Sequence, residues 1–325
     1  MPTEQAQAFL LHGVIIELRS RRAEMVQAAA QGWMSSWPRP GGHSRPQITA
    51  RFHAPGEGQP PTIPDHLLLD CDWPGAECAA DDHDLWLRRI ATGTVCRADL
   101  DHSLIEAWVS DQDLAHFGTL APGLLAFLLA VLLRNFGLFS SHAAGVSKDG
   151  RGVLIPAPGG TGKTTIALSL LLSGYQLLSD DLCLLRQRGE RIEALRWPRD
   201  LGVCPETVDL LPALRPLVAS KRPTEDKYQL SPEALRSPVF ADSAPLELLL
   251  FPTPVEGPSR LEPMERFEAL QRLIPCSLLP AHRASLGEHL TLLRRLVEQC
   301  RCYQLWSGND VAGLAEQITP LLPPF

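Results

Sequence analysis

The chain has 325 residues, a formal net charge of −7, 45% hydrophobic residues and 21% charged residues. This composition is that of a globular protein of one large or two ordinary domains, and it excludes an extensively disordered chain. The negative charge argues against nucleic acid as a partner, because nucleic-acid-binding surfaces are normally basic. Residues 1–7 are polar and lack the order of a secretory signal, so we expect a cytoplasmic protein.

Residues 1–112 are predicted to form a small strand-rich amino-terminal module, separate from residues 113–325. Two stretches rich in proline and glycine interrupt this module, and its tryptophans are expected to pack within a small sheet rather than form a ligand surface. The predicted elements are strands at Phe9–Leu18, Ile48–His53, Leu85–Ile90, Val95–Asp99 and Leu104–Val109 and a helix at Ala23–Met34. The tryptophans concerned are Trp33, Trp37, Trp73, Trp86 and Trp108.

A helix is predicted at Leu114–Asn135, and within it Leu120–Leu133 is the longest apolar segment. With about fourteen residues, a proline and a glycine, this segment is too short to span a bilayer, so we expect a buried helix and no membrane association. The eight cysteines lack paired C-x-x-C spacing and are interpreted as reduced thiols.

The rest of the chain alternates between helical and strand patterns, which predicts an α/β layer. Helices are predicted at Glu206–Leu217, Ser231–Arg236, Arg266–Leu273, Leu286–Cys300 and Asp310–Leu322, and strands at Leu246–Phe251 and Cys302–Trp306.

Residues 157–165 read Ala-Pro-Gly-Gly-Thr-Gly-Lys-Thr-Thr. They match the Walker A pattern of a phosphate-binding loop except that Ala157 replaces the first glycine. Glycines let successive N–H groups point at one anion, at the positive end of the following helix. An apolar strand pattern at 152–156 and a helix pattern at 164–173 supply the required strand-loop-helix context. The predicted nucleotide-binding residues are Pro158, Gly159, Gly160, Thr161, Gly162, Lys163, Thr164 and Thr165. Lys163 is expected on the β/γ-phosphates and Thr164 on Mg²⁺.

An Asp-Gly pair at 149–150 predicts a two-residue hairpin turn before the loop. If Lys148 pairs with Arg151, the register places His142 opposite Ala157, where the loop begins. We therefore expect the His142 ring to lie within hydrogen-bond reach of a bound phosphate or of the acidic pair described next.

Asp180 and Asp181 interrupt a second apolar strand pattern at 174–185. In a βαβ unit this strand lies near the loop strand, so its end delivers both carboxylates to the crevice that holds the phosphates. One carboxylate can bind Mg²⁺ while the other accepts a proton from an attacking hydroxyl. The sequence leaves open which carboxylate has which role.

The order of His142, a hairpin, a Walker A loop, an apolar helix ending at Gly174, and Asp180-Asp181 resembles the catalytic domain of the HPr kinase/phosphorylase family. Three segments resemble the HPr-kinase-related proteins that bacteria encode beside small peptide-binding chaperones: His142–Val146, Leu154–Pro158 and Leu177–Asp181. The lasso-peptide precursor kinases are similar proteins. The resemblance covers residues 138–205 well and the following residues loosely. It does not include the amino-terminal module.

This resemblance implies an α/β, P-loop kinase core of the HPr kinase and phosphoenolpyruvate carboxykinase type. The implied activity is transfer of phosphate from ATP, with Mg²⁺, to a Ser or Thr hydroxyl of a peptide or protein. Implied catalytic residues are Asp180, Asp181, His142 and Lys163, and implied metal-binding residues are Thr164, Asp180 and Asp181. A small peptide-binding chaperone is an implied partner, and the hexameric HPr kinases leave a homo-oligomer open.

Trp197–Val203 falls where HPr kinases carry the signature Glu-Ile-Arg-Gly-Leu-Gly-Ile. Arg199 is retained and is expected to clamp a phosphate, whereas the lost acid argues against a phosphorylase reaction and against HPr as the substrate. Lys227 is interpreted as a solvated surface lysine, with a second cationic contact as the alternative. Two other functions stay open: a small-molecule phosphotransferase on the same fold, and a nucleotide-binding scaffold or switch that handles a peptide without transfer.

Overall fold

The computed structural model describes residues 4–31, 34, 37–41, 44–64, 68–69, 75–197, 199–223, 227–235, 237–277 and 283–322. Trp33, Cys71, Trp73 and Pro198 lie outside the described residues. Packing divides the chain into two compact units, Met1–Phe136 with Leu279–Gly287 and Gly137–Leu278 with Glu288–Phe325. This division falls after residue 136 rather than at residue 112.

An eight-stranded sheet forms the first unit. Its strands are β1 (Gln5–Leu11), β2 (Val14–Ser20), β3 (Ile48–His53), β4 (Leu68–Leu69), β5 (Ala76–Ala80), β6 (Asp84–Arg89), β7 (Val95–Asp99) and β8 (Leu104–Trp108). They are hydrogen-bonded in the order β1-β2-β3-β8-β7-β6-β5-β4. The helices of this unit are α1 (Ala23–Ala30), α2 (Asp111–Leu114) and α3 (Phe117–Leu132).

The strand predicted at Phe9–Leu18 is in fact a hairpin, so that prediction is wrong. His12 and Gly13 both adopt positive φ, 48° and 95°, and Leu11 pairs with Val14. Such a pair of left-handed residues matches the twist of two antiparallel strands, which is why the chain reverses here instead of continuing. Of the tryptophans predicted to pack, Trp37 and Trp86 are buried.

Helix α3 packs against the amino-terminal sheet and α1, which explains why the chain divides after it. The Phe117 ring meets the Phe52 ring edge-on at a centroid distance of 5.2 Å. Together with a following 3₁₀ turn, the helix runs from Phe117 to Phe136, long and apolar enough by length and composition to cross a membrane. The expectation that this apolar segment is too short to span a bilayer is therefore wrong. Most of this stretch is nevertheless buried, as predicted.

The cysteines are free thiols at Cys96, Cys183, Cys204, Cys276, Cys300 and Cys302. Cys78 is disulfide-bonded, so the expectation that every cysteine is reduced is wrong at this position.

A nine-stranded sheet and a separate two-stranded ribbon form the second unit. The strands are β9 (Phe139–Ser141), β10 (Ala143–Lys148), β11 (Arg151–Pro156), β12 (Gln176–Ser179), β13 (Cys183–Arg188), β14 (Arg191–Leu195), β15 (Leu201–Val203), β16 (Tyr228–Leu230), β17 (Ser243–Pro254), β18 (Arg260–Pro263) and β19 (Arg301–Ser307). The main path is β12-β10-β11-β17-β14-β13-β9, with β19 beside β17 and β18 beside β19. β15 and β16 form the ribbon.

The helices of the second unit are α4 (Lys163–Leu172), α5 (Pro205–Leu210), α6 (Arg215–Val218), α7 (Arg266–Leu273), α8 (Arg283–Gln299), whose first residues group with the other unit, and α9 (Leu314–Ile318). Side chains of β11 alternate between two apolar cores. Val153 and Ile155 pack with α4 and α9, whereas Leu154 packs with α7 and α8. Because successive strand residues point to opposite faces, a continuous apolar run is what a sheet covered on both faces requires. The α/β prediction is confirmed in this unit.

Three predicted helices of the second unit are shorter than expected. The pattern at 206–217 is divided into α5 and α6 by a 3₁₀ turn that begins at Pro212, and Ser231–Arg236 yields a 3₁₀ turn at Pro232–Ala234. The closing segment contains α9 between two 3₁₀ turns. Proline removes a backbone donor and fixes φ, so it favours these short turns over continuous helix. Arg266–Leu273 is a helix with the predicted bounds.

Candidate active site

The hairpin of β10 and β11 has the predicted register. Lys148 pairs with Arg151, and the N–H of Ala157 donates to the carbonyl of His142 at 3.4 Å. Asp149 and Gly150 have φ of 51° and 74°, the left-handed pair of a tight hairpin turn. The register therefore brings His142 to the start of the glycine-rich loop.

The loop from 157 to 162 leads directly into α4. Gly160 and Gly162 have φ of 78° and 88°, a region that residues with a Cβ rarely adopt, and Gly162 is the residue that caps α4. The Thr161 hydroxyl donates to the carbonyl of Pro158 at 2.7 Å and closes the loop on itself. The first backbone N–H groups of α4 have no partner within the helix, so this end of the helix can bind an anion.

Lys163 is buried at the mouth of the loop, with 6% of its surface exposed. Its ammonium donates to the carbonyls of Ala157 and Pro158 at 2.7 and 2.9 Å and to Nε2 of His142 at 2.9 Å. An ammonium has no acceptor, so Nε2 accepts and the imidazole proton lies on Nδ1. Burial lowers the pKa of Lys163, and the charges of Asp181 and Asp180 oppose that shift.

Asp180 follows β12 and is buried, with 5% of its surface exposed. The Thr164 hydroxyl donates to both carboxylate oxygens, at 3.1 and 3.0 Å. Burial and the neighbouring charge of Asp181 raise the pKa of Asp180 to about 6, although Thr164 and Lys163 partly oppose the shift. A buried carboxylate beside a hydroxyl supplies hard oxygen donors, the kind that Mg²⁺ prefers.

Asp181 has different partners from Asp180 and is half-exposed. One of its carboxylate oxygens lies 3.4 Å from Nδ1 of His142, and the other lies 3.6 Å from Nη1 of Arg199. Its φ of 70° is left-handed, which is uncommon for a residue other than glycine and is tolerated best by Asn and Asp. The turn is closed by the N–H of Leu182, which donates to the carbonyl of Asp180 at 2.9 Å. This backbone turn explains why adjacent carboxylates have different surroundings.

The structure brings His142, Lys163, Thr164, Asp180 and Asp181 together, with Arg199 at the outer edge. The expectation that the His142 ring reaches the acidic pair is confirmed, because Nδ1 lies 3.4 Å from a carboxylate oxygen of Asp181. The strand that precedes the two aspartates, β12, is less close than expected to β11, the strand that precedes the loop. β12 pairs with β10, so β10 lies between β12 and β11.

Two further contacts of the site were not predicted. The hydroxyls of Thr165 and Thr207 lie 2.7 Å apart, which ties the first turn of α4 to α5. The carbonyl of Cys276 accepts from the N–H of His142 at 2.5 Å, and burial raises the pKa of the Cys276 thiol while the charge of Lys163 opposes the shift. Thr207 and Cys276 are both distant from the loop in sequence, so no local pattern could have indicated these contacts.

Among the described residues, no group of three or more His, Cys, Asp or Glu side chains could hold a metal ion. The Thr164 hydroxyl and the Asp180 carboxylate are oxygen donors that could hold a metal ion together with phosphate oxygens and water. That division is usual for Mg²⁺ bound with a nucleotide.

No family model matches this chain, and neither does any curated protein. Among solved structures, it is similar to the Hpr(Ser) kinase/phosphatase from Coxiella burnetii, at 19% sequence identity and a TM-score of 0.25. The match covers 48% of this chain and 93% of that one.

Proposed function

We propose that this protein is a kinase that uses ATP and Mg²⁺ to phosphorylate a Ser or Thr hydroxyl of a peptide or protein. The proposal is supported by the different surroundings of two adjacent carboxylates beside the glycine-rich loop. Asp180 is buried against the Thr164 hydroxyl, and Asp181 is exposed between His142 and Arg199. Phosphoryl transfer requires a metal ligand and a group that receives the hydroxyl proton, and the two surroundings fit these two roles.

Thr164 and Asp180 would hold the metal. The raised pKa of Asp180 reflects a buried negative charge without a full counter-charge, and a divalent cation would provide one. Bound Mg²⁺ supplies charge neutralisation for the phosphate oxygens. The N–H groups of the loop and the ammonium of Lys163 would hold the phosphate chain, because phosphate oxygens can replace the carbonyls that Lys163 now contacts.

Asp181 would act as the general base. As the substrate oxygen forms its bond to the γ-phosphorus, its proton passes to the Asp181 carboxylate, and the bond from the γ-phosphorus to the bridging oxygen breaks to release ADP. The N–H at Nδ1 of His142 and the guanidinium of Arg199 would orient that carboxylate. Arg199, 3.6 Å from the carboxylate of the proposed base, would also stabilise negative charge on the transferred phosphate.

The acceptor is proposed to be a cytoplasmic peptide or protein, presented by a small peptide-binding chaperone. The test is incubation with γ-labelled ATP, Mg²⁺ and either cell extract or candidate peptides, comparing wild type with Asp181→Asn. Asp209→Asn is a matched control, because Asp209 is exposed and forms a 3.7 Å surface ion pair with Arg215. Label on a polypeptide that is lost in Asp181→Asn supports the kinase.

Label on a small solute would instead identify a small-molecule phosphotransferase. Nucleotide binding without transfer to any acceptor would identify a scaffold or switch.

The roles of the two carboxylates can be distinguished by how the transfer rate of each variant depends on the Mg²⁺ concentration. Removing a metal ligand raises the metal requirement, so Asp180→Asn should increase the Mg²⁺ concentration for half-maximal transfer by about tenfold or more. Asp181→Asn should leave that concentration unchanged and lower the rate by about 10²- to 10⁴-fold, the usual contribution of a general base. The reverse pattern would exchange the two assignments.

A further inference from the structure

The ribbon of β15 and β16 lies beside the phosphate-binding loop. Leu201 and Val203 of β15 are buried in the same core as α4. The strand leads into α5, where the Thr207 hydroxyl lies 2.7 Å from that of Thr165 in the first turn of α4. The end of β15 that enters α5 is therefore held against the end of α4 that faces the loop.

Lys227 sits at this same end of the ribbon. Its neighbour Tyr228 pairs with Val203, the last residue of β15. The aliphatic stem of Lys227 crosses the ribbon at Gly202, where an added Cβ would meet Cδ of the lysine at 3.2 Å. A glycine at 202 thus leaves room for the stem to lie flat on the strand, and the side chain is positioned instead of extending freely from the surface.

Lys227 therefore brings a second ammonium to the side of the loop that carries the first turn of α4. Lys163, Lys227 and Arg199 are cations, whereas Asp180 and Asp181 are anions that a divalent cation would neutralise. A polyanion held by the loop would then be attracted by both ammonium groups.

We propose that Lys227 is a second phosphate-binding cation, which contacts the polyphosphate chain of a nucleoside triphosphate from the side of the ribbon. This proposal rests on the proposed function of the site and adds a residue to it. It assigns the ribbon a role as a clamp on the phosphates, with Gly202 as the residue that lets the lysine lie in position. A solvated surface lysine, the alternative, would have no effect on phosphate binding.

The test measures binding of a non-hydrolysable ATP analogue and of inorganic tripolyphosphate to wild type, Lys227→Met and Lys221→Met. Lys221 is the matched control, since it is an exposed lysine next to the same ribbon whose ammonium donates to the carbonyl of Gln229. A lost charged hydrogen bond at an exposed site corresponds to about tenfold weaker binding. We expect that loss for both probes in Lys227→Met and less than about threefold in Lys221→Met, and Lys227→Arg should restore most of the affinity.

Equal affinity of wild type and Lys227→Met for both probes would overturn the proposal, as would an equal loss in Lys221→Met. If Lys227→Met loses binding while the wild type transfers no phosphate, the role of Lys227 in phosphate binding is supported and the proposed kinase activity is contradicted. Thermal unfolding of each variant verifies that the fold is intact, and substitution of an exposed lysine should leave the midpoint nearly unchanged.

Discussion

The buried carboxylate of Asp180 should make the metal-free protein less stable as pH rises. Its pKa in the folded protein is about 6 against an ordinary value of 3.8, because of burial and the charge of Asp181. The unfolded chain therefore releases this proton first. The carboxyl group stabilises the fold fully below pH 3.8, and that contribution is lost as pH rises to about 6. A shift of about two pKa units corresponds to about 3 kcal/mol.

Asp180→Asn removes the free-energy cost of the buried ionised carboxylate and keeps an oxygen that can accept a hydrogen bond from Thr164. We expect the free energy of unfolding at pH 8 to exceed that of wild type by about 2 to 3 kcal/mol, with the gain falling to about 1 kcal/mol near pH 4.5. The measurement is urea unfolding with EDTA at several pH values. Asp209→Asn, which removes an exposed carboxylate, should stay within about 0.5 kcal/mol of wild type at every pH.

A gain that is absent, that does not change with pH, or that is largest at low pH would refute the assignment of a buried, uncompensated charge to Asp180. Adding Mg²⁺ with a non-hydrolysable ATP analogue should raise the stability of wild type more than that of Asp180→Asn. A ligand at free concentration L that binds only the folded state stabilises it by RT ln(1 + L/Kd), and the variant, which lacks one metal ligand, has the larger Kd.

Three other substitutions test the packing and the site. Lys163→Met should weaken binding of an ATP analogue, measured by calorimetry, by about tenfold or more, because it removes the charged donor to the phosphates. His142→Gln should lower the transfer rate by about tenfold while nucleotide affinity stays within about threefold, since its proposed partner is the base. Gly145→Ala should lower the free energy of unfolding by about 1 to 3 kcal/mol, because overpacking strains a core. Its Cβ would meet Sγ of Cys183 at 3.0 Å, whereas Gly313→Ala, with open space around it, is the neutral control for the urea titration.

The sequence predicted the hairpin and the loop in detail because their signals are local. The Asp-Gly turn at 149–150 fixes the register, and a period of two carries it outward to His142 without further information. The loop itself is determined by glycines that must adopt positive φ, as Gly160 and Gly162 do. In contrast, the turn at His12 was missed, because a short apolar hairpin resembles one longer strand when its turn contains a single glycine.

The roles of the two carboxylates could not be predicted from sequence. Adjacent residues with the same side chain are distinguished by the left-handed φ of Asp181 and by the Thr164 hydroxyl, which reaches across from α4. The positions of Cys276 and Lys227 likewise depend on contacts between segments that are distant in the chain. Such contacts are set by the packing of the whole unit and leave no periodic or spacing signal in the sequence.

The claim that phosphate passes to a hydroxyl is tested most directly by the identity of the phosphorylated residue. After reaction with γ-labelled ATP and Mg²⁺, labelled polypeptide is hydrolysed in acid and its phosphoamino acids are separated. A kinase of this kind yields acid-stable phosphoserine or phosphothreonine in an acceptor polypeptide, absent from the Lys163→Met and Asp181→Asn reactions. Acid-labile label confined to His142 of this chain, or label released as inorganic phosphate at the same rate with and without acceptor, would contradict it.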